Sequence, residues 1–369
     1  MTLPPPLSTI DDAALLAVLD RLGEPSWRAR QLRAATWQPY VDGFASMKQL
    51  AADTRSRLER ELAFSSVETV EHVDTDGGMT VKLLVRLRDG STVETVAMET
   101  PARAPSQRRA TVCVSTQVGC AVGCPFCATG RLGLRRNCSA AEIVDQVRAA
   151  GAALHARGAG PVTHVVYMGM GEPLANYAAT IESLRVLTTR ARVSARRITV
   201  STSGVVPKMD ALAADAPAVT LAISLHAATD ELRDRLVPLN RAHPIAELTA
   251  AGRRYAGRSG RRVSFEWCLI SGVNDSTAQA DALLELSRAS RAHVNIIPMN
   301  RIEGSEWGPP DPSVVRAFLA RLRGVRVTVR DTRGDDIAAA CGQLRASLEA
   351  RREQLPDGTL GPPRRLVHA

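Results

Sequence analysis

The chain has 369 residues, 45% of them hydrophobic and 23% charged, with 47 Lys and Arg against 38 Asp and Glu for a formal net charge of +9. This is length enough for a sizeable core and an ordinary globular composition; no run approaches eighteen apolar residues, and MTLPPPLSTI has no basic n-region or apolar h-region, so neither a transmembrane helix nor a secretory signal is expected. The positive balance suits an anionic partner such as nucleic acid and suits equally well a merely basic surface, since 44 of the 47 basic residues are Arg.

Residues 9 to 64 read as helical: Asp11 and Asp12 are candidate N-caps, Leu15, Leu16, Leu19 and Leu22 recur at helical spacing, and a second stretch follows Pro25. WRARQLRAATW sets Arg28, Arg30 and Arg33 between Trp27 and Trp37, a mixture suited to RNA or to a solvated arginine face over core tryptophans. From Ser66 to Thr100 the period changes to two. VETVEHV, TVKLLVRL and TVETVAM, separated by Asp76-Gly77 and Asp89-Gly90, predict a meander of hairpins, followed by a linker at 101 to 108. Beyond 109, candidate strands at 110–116, 162–168, 197–202, 218–224, 263–269, 292–297 and 325–330 alternate with helical stretches such as 139–150 and 276–288. Repeated βα units imply a parallel sheet, and six or seven of them imply a partial barrel. The expected organisation is a helical accessory domain over 1–65, a β-hairpin extension and linker over 66–108, an α/β partial barrel over 109–350, and a flexible tail over 351–369.

In parallel barrels chemistry gathers on the loops that follow strands. Each unusual motif falls there: a cysteine loop after the first strand, GMGEP after the second, STSG after the third, SLH ending the fourth, IPMN after the sixth and TRGDD after the last. Arg131, Arg135, Arg136, Arg301 and Arg333, on that side, are candidates for phosphate contacts. Arg253, Arg254, Arg258, Arg261 and Arg262 precede a strand, fall on the opposite face, and are read as complementing a helix C-terminus.

Four of the seven cysteines lie between 113 and 127, with Cys120, Cys124 and Cys127 at a C-x3-C-x2-C spacing. Crowded thiols in a chain without export signals argue for a metal centre before disulfides. Structural zinc needs four ligands and no matching second pair follows, whereas three cysteines on a cubane would leave one iron open. Gly171 and Glu172 follow a strand, where glycine permits close backbone approach and a carboxylate can meet an ammonium group. Cys341 lies near the start of the final helix, where the dipole lowers a thiol pKa. Cys138 and Cys268 are read as structural.

The cysteine loop resembles that of the radical S-adenosylmethionine (SAM) enzymes. Taken with VETV at 93–96, CVSTQVGCAVGCPFC at 113–127, MGMGEPLAN at 168–176, STSGVVP at 201–207, AISLHA at 222–227 and TRGDDIAAACGQL at 332–344, the chain resembles the RlmN/Cfr-type RNA adenine methyltransferases from about residue 15 to 348. The resemblance implies a partial (β/α)6-type radical SAM barrel carrying one 4Fe-4S cluster on Cys120, Cys124 and Cys127. It implies SAM bound by Gly171, Glu172, Ser201, Ser224, Leu225, His226 and Asn300. Cys341 looks like the residue that takes a methyl group from a first SAM, Cys113 like the thiol that resolves the covalent RNA adduct by forming a disulfide with Cys341, and Glu94 like the proton acceptor. The implied activity is methylation of adenine carbon 2 in 23S rRNA, with an adenine beside the anticodon of tRNA as a second substrate and two SAM consumed per turnover. A flavodoxin-type electron donor, a monomer and a cytoplasmic setting are expected with it. Carbon-8 methylation conferring antibiotic resistance, and a non-catalytic RNA-binding protein stabilised by metal, stand as alternatives.

Overall fold

The computed structural model describes residues 3–75, 79–100, 108–302, 304–330 and 342–344. The Asp76-Gly77 turn, the linker at 101–107, Arg333, Cys341 and the tail lie outside the described residues. The N-terminal part is helical as expected: α1 (Asp12–Arg21), α2 (Arg28–Thr36) and α3 (Ala52–Glu61). Asp11 caps α1 by accepting from the amide of Ala14 at 2.7 Å, a contact that satisfies one of the first-turn donors. Leu15 and Leu19 of α1, Leu32 of α2 and Leu58 of α3 are almost fully buried in a small core of their own. Burying each such side chain contributes about 1.5–3 kcal/mol.

The strands β1 (Val67–Asp74), β2 (Thr80–Leu87) and β3 (Thr92–Thr100) form the meander, and β3 continues antiparallel onto β4 (Arg109–Cys113). A separate two-stranded hairpin, β5 (Gln117–Gly119) and β6 (Leu134–Asn137), brackets the cysteine loop and the one-turn α4 (Ala128–Arg131). Then come α5 (Ala140–His155), β7 (His164–Tyr167), α6 (Tyr177–Thr189), β8 (Ile198–Thr202), α7 (Val206–Asp215), β9 (Thr220–Ser224), α8 (Asp230–Leu236), α9 (Ile245–Ser259), β10 (Ser264–Leu269), α10 (Thr277–Ser290), β11 (His293–Pro298), α11 (Pro312–Arg321) and β12 (Val327–Val329). From β4 to β12 the main sheet is parallel, in chain order, and the meander extends the same sheet at its β4 edge, giving among the described residues ten strands in the order β1-β2-β3-β4-β7-β8-β9-β10-β11-β12.

Period-two alternation sorts these strands into two faces. Val112, Val165, Tyr167, Ile198, Val200, Leu221, Ile223, Phe265, Trp267, Val294 and Ile296 are at most 1% exposed and make the apolar core under the helices. The alternating positions, among them Ser201, Ser224 and Glu266, line the barrel interior. A cavity with a few polar groups set among apolar walls is an arrangement for holding a ligand.

The helical unit is tied down by arginines. Arg148 of α5 donates to the carbonyls of Thr36 and Phe64 at 2.8 and 2.9 Å, Asp145 accepts from the amide and hydroxyl of Ser66, and Arg190 reaches the carbonyls of Ser8 and Ile10. Arg33 is spent similarly, on the Leu7 carbonyl and Asp12, while Arg28 lies over the exposed ring of Trp27. Arg254 and Arg258 connect α9 to Asp210 of α7, so helix-to-helix bridging explains them better than helix-dipole contact.

Candidate active site

The cysteine loop is shaped by positions that tolerate no side chain. At Gly119, with φ +80°, a Cβ would stand 1.8 Å from the Gly133 carbonyl oxygen, and at Gly130 it would stand 2.7 Å from that of Cys124. These close approaches let the Cys120 amide donate to the Gly133 carbonyl at 2.9 Å and the Cys127 amide to that of Cys124 at 3.1 Å. Cys124 is buried, and Cys120 and Cys127 are half-buried. Burial pushes the Cys120 thiol up to about 11 and the Cys124 thiol up further, with the neighbouring thiols adding to both. Cys120 and Cys124 are therefore held as neutral thiols until a metal takes the thiolates. Among the described residues, no three Cys, His, Asp or Glu side chains converge on one ion. A cubane does not ask for that, because each cysteine binds a different iron.

Cys127 and Phe126 border a cavity of about 150 Å³ at the C-terminal end of the parallel strands. Gly171, Glu172, Ser201, Ser224, His226 and Asn300 all line it. Gly171 has φ +100°, and a Cβ there would come within 2.5 Å of the Gln117 side chain, so only glycine brings the GEP turn against the strand that leads into the cysteine loop. Glu172 is 2% exposed and accepts from the backbone amides of Leu174 and Ser203 at 3.0 and 2.7 Å. Burial raises its pKa, opposed by those donors. His226 has φ +59°, stands edge-on to Phe126 with centroids 4.9 Å apart, and accepts at Nδ1 from the Cys268 amide at 2.9 Å. Its proton therefore sits on Nε2, and burial, helped by Arg233, depresses its pKa to about 3, so the ring is neutral. The hydroxyls of Ser201 and Ser224 are 3.3 Å apart.

Leu225 departs from this set. Its side chain is buried in the core under the helices and only its carbonyl is directed inward, accepting from Arg233 Nε at 3.0 Å. The expected phosphate contact Arg136 is also otherwise engaged, forking onto Asp89 at 2.6 and 2.7 Å and onto Glu142 at 2.9 and 3.0 Å. Arg131, Arg135 and Arg301 remain exposed on this side. Cys268, read from sequence as structural, lines the cavity.

Glu94 and Cys113 do not border the cavity. Cys113 is buried on β4 in register with Val96 of β3, and Val96 in turn pairs with Lys82 of β2. Glu94 is 1% exposed and its Oε1 lies 3.2 Å from Lys82 Nζ. A buried ion pair is unlike the outward carboxylate that strand alternation suggests. Cys341 lies outside the described residues, but the residues after it close the cavity. Gly342 lines it, the Gly342 carbonyl accepts from the Ala128 amide at 2.8 Å, and the Leu344 carbonyl accepts from Thr129 Oγ1 at 2.6 Å.

Sequence reasoning missed Arg233. It is fully buried and donates to the carbonyls of Leu225, Ser203 and Ser224 and to Asn240 Oδ1, so it ties the loops after β8 and β9 together under the cavity. Burial depresses its pKa to about 10. No pattern in DELRDRL distinguishes it from its solvated neighbours.

The radical SAM superfamily model matches residues 114–284. A probable dual-specificity RNA methyltransferase RlmN of Frankia alni is 48% identical over 342 residues, covering 89% of this chain and 80% of that protein. The protein of the same name from Thermobifida fusca is 46% identical over 356 residues, covering 93% and 96%. The crystal structure of a radical SAM methyltransferase from Sphaerobacter thermophilus is similar at a TM-score of 0.87 and 47% identity, covering 93% of this chain and all of that one.

Proposed function

Because the chain belongs to the RlmN family of radical SAM RNA methyltransferases, we propose that it methylates carbon 2 of an adenine in 23S rRNA, and of an adenine beside the anticodon in tRNA. The observation that carries this reading is one cavity bordered on one side by Cys127 of the cysteine loop and on another by Gly342, the residue after Cys341. A group bound by the loop and a thiol at position 341 would act on the same small volume.

The donor set fits a 4Fe-4S cluster: three thiols from one tightly folded loop, with no fourth cysteine on that loop to close the last iron. Cys120, Cys124 and Cys127 would hold it, and when bound it would supply the electron that cleaves SAM. Glu172, a buried carboxylate with neutral amide donors, is suited to take the SAM ammonium group. The neutral His226 offers its Nε2 proton to an acceptor, and the hydroxyls of Ser201 and Ser224 offer polar contacts to the rest of the ligand. Phe126, Met168 and Met299 supply apolar walls that limit water.

Cys341 would carry the methyl group, Cys113 would resolve the adduct, and Glu94 would accept the proton, with Lys82 beside it to offset the charge. A ring carbon between two nitrogens is not nucleophilic, which is why a radical route suits this product, and the target base must leave its stack to reach the cavity. The test is anaerobic reconstitution with iron and sulfide, then SAM, reductant and unmodified rRNA or tRNA, with mass spectrometry locating the methyl. Methyl at carbon 2 of adenine is expected. Methyl at carbon 8, or intact SAM, would overturn the reading.

A further inference from the structure

Glu266 on β10 is unassigned by anything above, and its surroundings are unusual. It is 3% exposed, it lines the cavity, and Oε1 is saturated by Ser264 Oγ at 2.8 Å and Asn295 Nδ2 at 2.7 Å. Among the described residues Oε2 is buried without a hydrogen-bond donor, and Arg330 Nη2 stands 3.3 Å away in an ion pair without hydrogen-bond geometry. Among the described residues with an unsatisfied buried side-chain atom, Glu266 alone borders the cavity. A buried carboxylate oxygen left without a donor is costly, which points to a donor that arrives with a ligand.

The register says what kind of ligand. Glu266 pairs directly with Ser224 on β9 and with Asn295 on β11, and the Ser224 hydroxyl lies beside that of Ser201 on β8. Three adjacent strands thus present a hydroxyl, a hydroxyl and a carboxylate to the cavity, and the Asn295 amide on a fourth anchors the carboxylate. Such a set matches a vicinal diol, one hydroxyl donating to Oε2 and the other exchanging hydrogen bonds with the serines. It does not match a phosphate, which a carboxylate would repel.

We propose that Glu266 Oε2 is the acceptor for a ribose hydroxyl of the adenosyl ligand, and so a binding residue of the same cavity. This rests on the reading of the cavity as a SAM site, and deepens it. The test is calorimetric titration of the anaerobically reconstituted protein with S-adenosylhomocysteine and with its 2′-deoxy and 3′-deoxy analogues. Wild-type protein should bind one of the deoxy analogues about tenfold or more weakly than the parent, the size of one charge-assisted hydrogen bond. Glu266→Gln should lose a similar factor for the parent and little further for that analogue, with its iron content unchanged. If wild-type protein binds both deoxy analogues as tightly as the parent, Glu266 holds no ribose hydroxyl, and this conclusion survives even if the variant fails to fold. If reconstituted wild-type protein binds none of the three, the failure belongs to the SAM reading itself.

Discussion

The barrel mouth and the antiparallel meander each bury a glutamate, and they treat it in opposite ways. At the mouth, Glu172 is held by two backbone amides, neutral donors that leave its charge for a ligand. In the meander, Glu94 has a lysine of its own, Lys82, at 3.2 Å. The mouth keeps an open charge where SAM would bring a cation; the meander balances its charge internally before anything binds. The backbones differ in the same sense. Regular strand register holds Lys82 and Glu94, whereas the mouth depends on Gly119, Gly130 and Gly171, where no Cβ fits. The cysteine loop and Glu172 sit on irregular backbone, and the Lys82–Glu94 pair on regular backbone.

The largest expected effect breaks the mouth alone. Cys124→Ala should reduce the iron bound after reconstitution to a small remainder and abolish SAM cleavage, while Cys138→Ala, at another buried thiol outside the loop, should keep both; iron analysis and product chromatography read the difference. Next, Lys82→Met should destabilise by about 3–5 kcal/mol, because it takes the cation away from a buried carboxylate. Lys82→Met with Glu94→Leu should recover most of that in urea unfolding. Glu172→Gln, which keeps one accepting oxygen and sets an NH2 against the other backbone amide, should cost about 1–2 kcal/mol. Equal losses for Lys82→Met and Glu172→Gln would erase the contrast.

A smaller effect concerns acid. The folded-state pKa of His226, about 3, lies below the ordinary value of 6.5. Between these values the unfolded chain binds the extra proton, so this residue's contribution is fully present above pH 6.5 and shrinks as pH falls toward 3. Relative to pH 7.5, wild-type protein should lose about 2 kcal/mol more at pH 5 than His226→Gln does, measured by urea unfolding.

These contrasts were unequally legible in the chain. The parallel strands were foreseen to within a few residues, because buried strands in βα units read as apolar runs at a regular spacing, and the cysteine loop announced itself by thiol spacing. The sharing of one sheet by the meander and the barrel could not be read, since pairing of β3 with β4 is a long-range choice that neither strand's pattern encodes. Buried charges were hidden for a related reason. Lys82 in TVKLLVRL and Glu94 in TVETVAM each look like the polar half of an alternating strand, and only the packed structure shows that both faces of these strands are covered. Glu266 in SFEWCL was the more readable case, a lone acid inside an apolar run. The engagement of Arg136 by Asp89 and Glu142 could not be read either, because position on the catalytic side says nothing about which partners already occupy a side chain.

Arg136 supplies the smallest and most discriminating test, because it joins the two regions. From the end of the cysteine hairpin it grips Asp89, in the turn between β2 and β3, and Glu142 in the first turn of α5. The guanidinium holds the Asp89 carboxyl well below the usual carboxylate range, so the contribution is present above that range and lost as pH falls through it. Both Arg136 and Asp89 are partly exposed, with side-chain accessibilities of 30% and 46%, so solvent and salt screen most of the attraction. Arg136→Met should therefore cost only about 1 kcal/mol in low salt and less as salt is added. Its affinity for a 23S rRNA fragment should match that of wild type, whereas Arg135→Ser, at an exposed neighbour without this clamp, should bind more weakly. The reverse result, weakened RNA binding by Arg136→Met at unchanged stability, would return Arg136 to the RNA interface and leave the meander and the mouth without their clamp.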